Sequence, residues 1–240
     1  MRVYTKDAVI QKCRDWLKEK DVTKFYTAGI INSRGITSDT KDYYSEIIAE
    51  FVLSNIDLFK GINSIKRAGK KYKTASHNGK YEKRTKREEE YIAKDMFNEC
   101  KTGEYDYIGK IIDYQTPLNN KKTDGYGKID LLSYKDDSLY ILELKRPNSK
   151  SPETMLRCAL ESYTYSKIVN KDALIEDFEL STVIDKSKIY AAPLVAINGT
   201  QWEEYTNKEE HPRLVELMKQ LNIKPFYYEE ISPKHYRITE

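Results

Sequence analysis

Residues 127–147 constrain this chain more than any other stretch. They read as two short strands joined by a tight turn, and they set charges on an otherwise apolar strand. Side chains alternate faces along a strand, so Leu139, Ile141, Glu143 and Lys145 point one way while Tyr140, Leu142, Leu144 and Arg146 point the other. Asp130 lies on the preceding strand. An acid and a lysine therefore share a face with core aliphatics. Burying them is costly unless they pair or hold a metal, and both readings are open from the pattern alone.

The flanking segments supply a sheet and its covering helices. Residues 7–19 place Ala8, Ile10, Cys13, Trp16 and Leu17 near one stripe behind Thr5 as N-cap, which predicts an amphipathic helix. Residues 21–38 have no clear pattern. Ser38 or Asp39 is expected to cap a second helix that carries Tyr43, Ile47, Ala49, Phe51, Val52 and Ile56 and ends near Gly61. A third helix is predicted over 87–100, with Ile92, Ala93, Met96 and Phe97 inward and Gly103 as its stop. Residues 105–114 read as a strand ending before Pro117, and 119–125 as a turn-rich loop. Residues 135–138 supply the hairpin turn. Ser151 and Pro152 then announce a helix over 153–169, its apolar residues mostly on one side. Residues 189–197 are an apolar run suited to a buried strand, although Pro193 argues against a central place. A helix over 212–221 and a strand near 225–231 complete the chain. This order implies the α/β class, with a mixed central sheet flanked by helices.

With 240 residues and no Gly-, Pro- or Ser-rich linker, one domain is expected over 1–240. It would comprise an N-terminal helical and basic extension over 1–86, a core over 87–199 and a C-terminal extension over 200–240. No apolar run approaches the ~20 residues of a membrane span, and no hydrophobic signal segment precedes Asp7. Cys13, Cys100 and Cys158 are too few for a disulfide framework. A cytoplasmic protein without a membrane partner is the expectation. His77, His211 and His235 are too scattered for a legible zinc site, and the last two read as surface residues.

The net charge of +3 hides a local asymmetry, because residues 60–87 are basic and 88–106 acidic. Lys66, Arg67, Lys70, Lys71, Lys73, Lys83 and Arg84 are interleaved with Tyr72, His77 and Tyr81. Cations contact phosphates and aromatic rings stack on bases, so this composition suits a nucleic-acid surface as well as a solvated face.

Glu143-Leu144-Lys145 is a weak signal as a tripeptide, since Asp39-Thr40-Lys41 and Glu99-Cys100-Lys101 share its form. Its context separates it: it ends an apolar strand, follows an aspartate strand by a hairpin and precedes a capped helix. In that context the residues resemble the PD-(D/E)XK nuclease superfamily, in its RecB-like form, over roughly 87–199. The resemblance implies a restriction-endonuclease-like α-β-β-β-α-β core and a Mg²⁺- or Mn²⁺-dependent hydrolase of DNA phosphodiesters. Asp130 and Glu143 would bind the metal, the Leu144 carbonyl would add a ligand, and Lys145 would position or deprotonate water and stabilise charge. Ile129 stands where the superfamily's name has proline.

RecB-like members also carry Gln-x-x-x-Tyr on the next helix; Glu161 and Tyr165 occupy those positions, with Glu in place of Gln. Arg157, Glu161 and Tyr165 are spaced by four and share a helical face. Glu89 is the candidate for the acid that members often place on the first core helix, with Glu88 in reserve. Hydrolysis of a phosphodiester needs an activated water and compensation of charge on the phosphate, and a carboxylate-bound Mg²⁺ supplies both. Arg157 and the basic stretch would contact the nucleic-acid backbone, and many enzymes of this fold pair as homodimers. The alternative is a non-catalytic nucleic-acid-binding module in which Lys145 and the acids form a buried salt bridge.

Overall fold

In a computed structural model describing residues 3–65, 69–81, 88–119, 125–147 and 153–240, six strands form one mixed sheet in sequential order. The strands are β1 Lys110–Pro117, β2 Lys128–Lys135, β3 Ser138–Lys145, β4 Ile189–Ala196, β5 Phe226–Ser232 and β6 His235–Thr239. β1, β2 and β3 are antiparallel neighbours. β4 joins β3 in parallel, β5 joins β4 in parallel, and β6 returns antiparallel.

Alternation along β3 sorts its residues as the pattern predicts. Leu139 and Ile141 belong to the apolar cluster on one sheet face, Tyr140, Leu142 and Leu144 to the cluster on the other. The first face is covered by α5 Met155–Ile168; α1 Lys6–Glu19 and α2 Tyr44–Ser54 pack on each other and on the turns of residues 22–32 that lie over α5, and α8 Pro212–Gln220 packs on α2. The second face is covered by α4 Glu88–Glu99, through Ala93 and Met96. Three short helices, α3 Ile56–Lys60, α6 Lys171–Asp177 and α7 Thr200–Thr206, complete the set among the described residues. None of these helices is long and apolar enough to cross a membrane.

Several boundaries differ from the expectation, each for a local reason. Thr5 caps α1 as expected, accepting the Ala8 N–H. Residues 22–27 and 29–32 wind as short 3-10 turns. α2 has no side-chain cap: Asp39 instead accepts the Lys6 N–H, and the helix breaks at Asn55 before α3. The first strand runs from Lys110 to Pro117, later than predicted, because Tyr105 and Gly109 close a tight turn on each other. The cap of α5 is Thr154, whose hydroxyl accepts the Arg157 N–H at 3.1 Å; the Ser151 and Pro152 signal lies outside the described residues.

α5 is buried nearly all round rather than on one side, because the sheet lies under it and the turns of residues 22–32 over it. Pro193 sits in a central strand, contrary to expectation. β4 meets β5 only from Leu194 onward, so Pro193 precedes that ladder and removes none of its bonds. His211 is buried, with Tyr43 against its ring and Ser45 beside Nδ1, whereas His235 is exposed as predicted and pairs with Glu99. β6, α6 and α7 have no counterpart in the sequence reading.

Candidate functional site

The hairpin places the charges where its two strands part. β2 and β3 pair from Lys135 and Ser138, which flank a two-residue turn with Asp136 in the left-handed region (φ 53°), up to Leu131 and Leu142. Beyond that point β3 continues only against β4, as far as Lys145. The Leu144 N–H is left without a strand partner, and the Asp130 carboxylate accepts it at 3.0 Å. A strand residue's N–H and C=O leave the same edge, so the Leu144 carbonyl also faces this gap. The other Asp130 oxygen accepts from the Gln115 amide at 2.8 Å.

Glu143 and Lys145 are each 5% exposed, on the face covered by α5. The Lys145 ammonium lies 2.7 Å from Glu143 Oε1, 2.8 Å from Glu153 Oε2 and 3.9 Å from Glu161 Oε2. Arg157 lies between Glu153 and Glu161, at 3.3 and 3.5 Å. Tyr165 donates to Glu161 Oε1 at 2.9 Å and meets Tyr26 edge-on. The predicted Arg157, Glu161 and Tyr165 face is therefore one connected cluster, with Glu161 and Tyr165 buried and Arg157 at its partly exposed edge.

Burial raises the Asp130 pKa most; Lys145 and the Leu144 N–H pull it down and Glu89 and Glu161 push it up, for a result of about 6. Burial also drives Glu143 well above the usual carboxylate range, with Asp130 and Glu161 adding and Lys145 opposing. For Lys145, burial favours the neutral amine, but Glu143 and Glu161 outweigh it and hold the ammonium well above the ordinary lysine value. Held in this way, the ammonium is suited to orienting water and stabilising negative charge. Glu153 is held below its ordinary value because Lys145 and Arg157 outweigh its burial.

Glu89 is half-buried on α4, and its charge reaches Asp130 and Tyr228. Glu88 pairs with Arg146. Among the described residues, no group of three His, Cys, Asp or Glu side chains is placed to hold a metal ion. Asp130 and Glu143 offer hard oxygens, and the Asp130 charge raises the proton affinity of Glu143, which suits a Mg²⁺-type ion completed by main-chain, phosphate and water oxygens.

Three participants were not legible in the sequence reading. Glu153 had a signal, since it extends the spacing of 157, 161 and 165 backward by four. Gln115 had none: it lies opposite Asp130 in the β1–β2 register, with a left-handed φ of 52°. Tyr26 lies in the stretch without a pattern, and burial pushes its hydroxyl up to about 12.

The basic stretch is only partly within view, because Lys66, Arg67, Lys83 and Arg84 lie outside the described residues. Lys70 and Lys71 are exposed, and Lys73 pairs with Glu179 at 3.3 Å. Its aromatic members do not form a stacking surface. Tyr72 is fully buried, His77 pairs with Asp113 and stacks on Tyr114, and the Tyr81 hydroxyl donates to Asp95. Tyr72 was expected outward because its neighbours are basic; its hydroxyl accepts the Asn170 N–H at 2.9 Å and anchors the segment instead.

No protein-family model, curated protein or solved structure matches the chain.

Proposed function

We propose that the chain is a divalent-cation-dependent nuclease that hydrolyses DNA, on a restriction-endonuclease-like core of α4, β1, β2, β3, α5 and β4. The observation that carries this reading is the charge balance where β2 and β3 part. Among the described residues, Asp130, Glu143, Glu153 and Glu161 are faced by the cations Lys145 and Arg157, so with every group ionised four acids oppose two cations, and Glu89 adds to the excess at Asp130. Without a further cation the excess is met by proton uptake, the direction in which Asp130 and Glu143 shift.

Asp130, Glu143 and the Leu144 carbonyl would hold Mg²⁺ or Mn²⁺, leaving positions for phosphate and water. When bound, the ion supplies an activated water and compensation of charge on the phosphate. Lys145 stays an ammonium and stabilises the negative charge that develops during attack. Glu153, just ahead of α5, and Glu161 on it hold that ammonium in place, and Tyr165 and Arg157 hold Glu161. Arg157, Lys70 and Lys71 are the described cations offered to the nucleic-acid backbone.

A second reading is favoured by the Lys145 contacts at 2.7 and 2.8 Å: the cluster satisfies Lys145 as it stands, as in a nucleic-acid-binding module that does not cut. Plasmid nicking with and without Mg²⁺ separates the two. The nuclease nicks only with Mg²⁺ or Mn²⁺, and Asp130→Asn, which keeps an acceptor for Leu144, removes nicking while the protein stays folded. The module binds DNA in a salt-sensitive manner that neither Mg²⁺ nor Asp130→Asn alters. Absence of cleavage and of DNA binding at low salt overturns both.

A further inference from the structure

On the side of the molecule formed by the first two helices, an open groove of about 1100 Å³ runs along α2, with α1 as one wall and the start of α8 as the other. It is larger than the roughly 300–1,000 Å³ of a small-molecule cleft. α2 and the residue that caps it turn one stripe into it: Tyr43, Glu46, Ile47, Glu50, Phe51 and Ser54 recur at three- and four-residue intervals. Ile10 and Leu17 of α1 are half-buried beside this stripe, and Leu58 at its end is 54% exposed.

The two walls carry opposite charge. On α1, Arg14 and Lys18 flank Leu17, are exposed, and have no hydrogen-bond or ion-pair partner among the described residues. Across the groove stand Glu209, likewise unpaired among the described residues, and Glu210, which accepts from Tyr43 and Asn207; Arg213 beside them is neutralised by Glu50 and Glu216. Glu46 and Glu50 on the floor are satisfied by the start of α8, so what the groove presents is Ile47, Phe51, Leu17 and Leu58 between cations on one side and acids on the other, and its complement is an apolar stripe with an acidic flank facing Arg14 and Lys18.

We propose that this groove docks an amphipathic helix of a partner protein, its apolar stripe seated on Ile47, Phe51, Leu17 and Leu58 and its acidic flank against Arg14 and Lys18. A helix laid over α2 would pack in the groove between neighbouring helices as helices generally do. The flank charges set its orientation and partner choice more than its affinity. This proposal is independent of the nuclease reading, since none of these residues touches the Asp130 and Glu143 cluster.

The probe is a synthetic helical peptide of about 14 residues, the length of α1, with leucines at helical spacing, glutamates on one flank and lysines on the other. A control peptide has every glutamate replaced by lysine. Fluorescence anisotropy should show the wild-type protein binding the first peptide at least about tenfold more tightly than the control, with the difference shrinking at high salt. The double variant Arg14→Glu/Lys18→Glu should reverse that preference, and Leu58→Asp should weaken both peptides while circular dichroism shows an unchanged fold. Failure of the first peptide to bind, or equal binding of both peptides by wild type and double variant, overturns the proposal. A concentration-dependent dimer that Leu58→Asp abolishes would overturn it in favour of a second copy of this chain as occupant.

Discussion

The Asp130 carboxylate accepts the Leu144 N–H at 3.0 Å across the point where β2 and β3 separate. One side chain thereby completes a backbone ladder that the partner strand has abandoned, and the same contact fixes the carboxylate at the edge of the proposed metal site.

The pH dependence of this group has a definite sign. Its folded pKa of about 6 lies above the unfolded value of 3.8, so its protonated form is favoured in the folded chain. The contribution is fully present below pH 4 and is lost as pH rises through 6, on the order of 3 kcal/mol in all. Urea denaturation between pH 4 and pH 7 should show a slope of this sign, and Asp130→Asn should reduce it to the part that Glu143 contributes. At pH 7, added Mg²⁺ should raise the midpoint of wild type and leave Asp130→Asn unchanged.

Lys145 is more important to stability than any one of its acids. Lys145→Met removes the only ammonium at Glu143 among the described residues and should cost about 3–5 kcal/mol, because several buried carboxylates lose their counter-charge together. Glu153→Gln leaves Lys145 paired with Glu143 and should cost about 1–3 kcal/mol. Chemical denaturation of both variants at one pH checks the order; equal costs would show that Glu153 carries the cluster.

Gly127 is required by an approach rather than by a turn. A Cβ there would overlap the Tyr165 hydroxyl, which holds Glu161. Gly127→Ala should displace that ring and cost about 1–3 kcal/mol, more than Tyr165→Phe, which removes one hydrogen bond worth about 1 kcal/mol. Thermal melts of the two variants decide this ranking.

Tyr72 separates the corrected reading of the basic stretch from the original one. Tyr72→Ala should cost about 3–5 kcal/mol by emptying a fully buried ring site. Tyr72→Phe should cost about 1 kcal/mol by leaving the Asn170 N–H unpaired, with DNA affinity unchanged in a filter-binding titration. A folded Tyr72→Phe with weakened DNA binding would restore the stacking role.

Local periodicity determined much of the architecture. The alternation of β3, the hairpin turn, the Thr5 cap and the inward stripe of α4 are each set by residues a few positions apart, so they were readable in order along the chain. So was the crowding of Glu143 and Lys145 on an apolar face, and with it their need for partners. Which partners they take was decided only in three dimensions. Gln115 reaches Asp130 because two strands lie in one register, and Tyr26 reaches Tyr165 because distant turns cover α5. Pro193 was admitted to a central strand because its second neighbour begins one residue later. The proton on Lys145 was decided the same way. Sequence places Glu143 beside it on the strand, but only folding brings Glu161 and Glu153 near, and the summed field of the three opposes the desolvation that would otherwise release the proton.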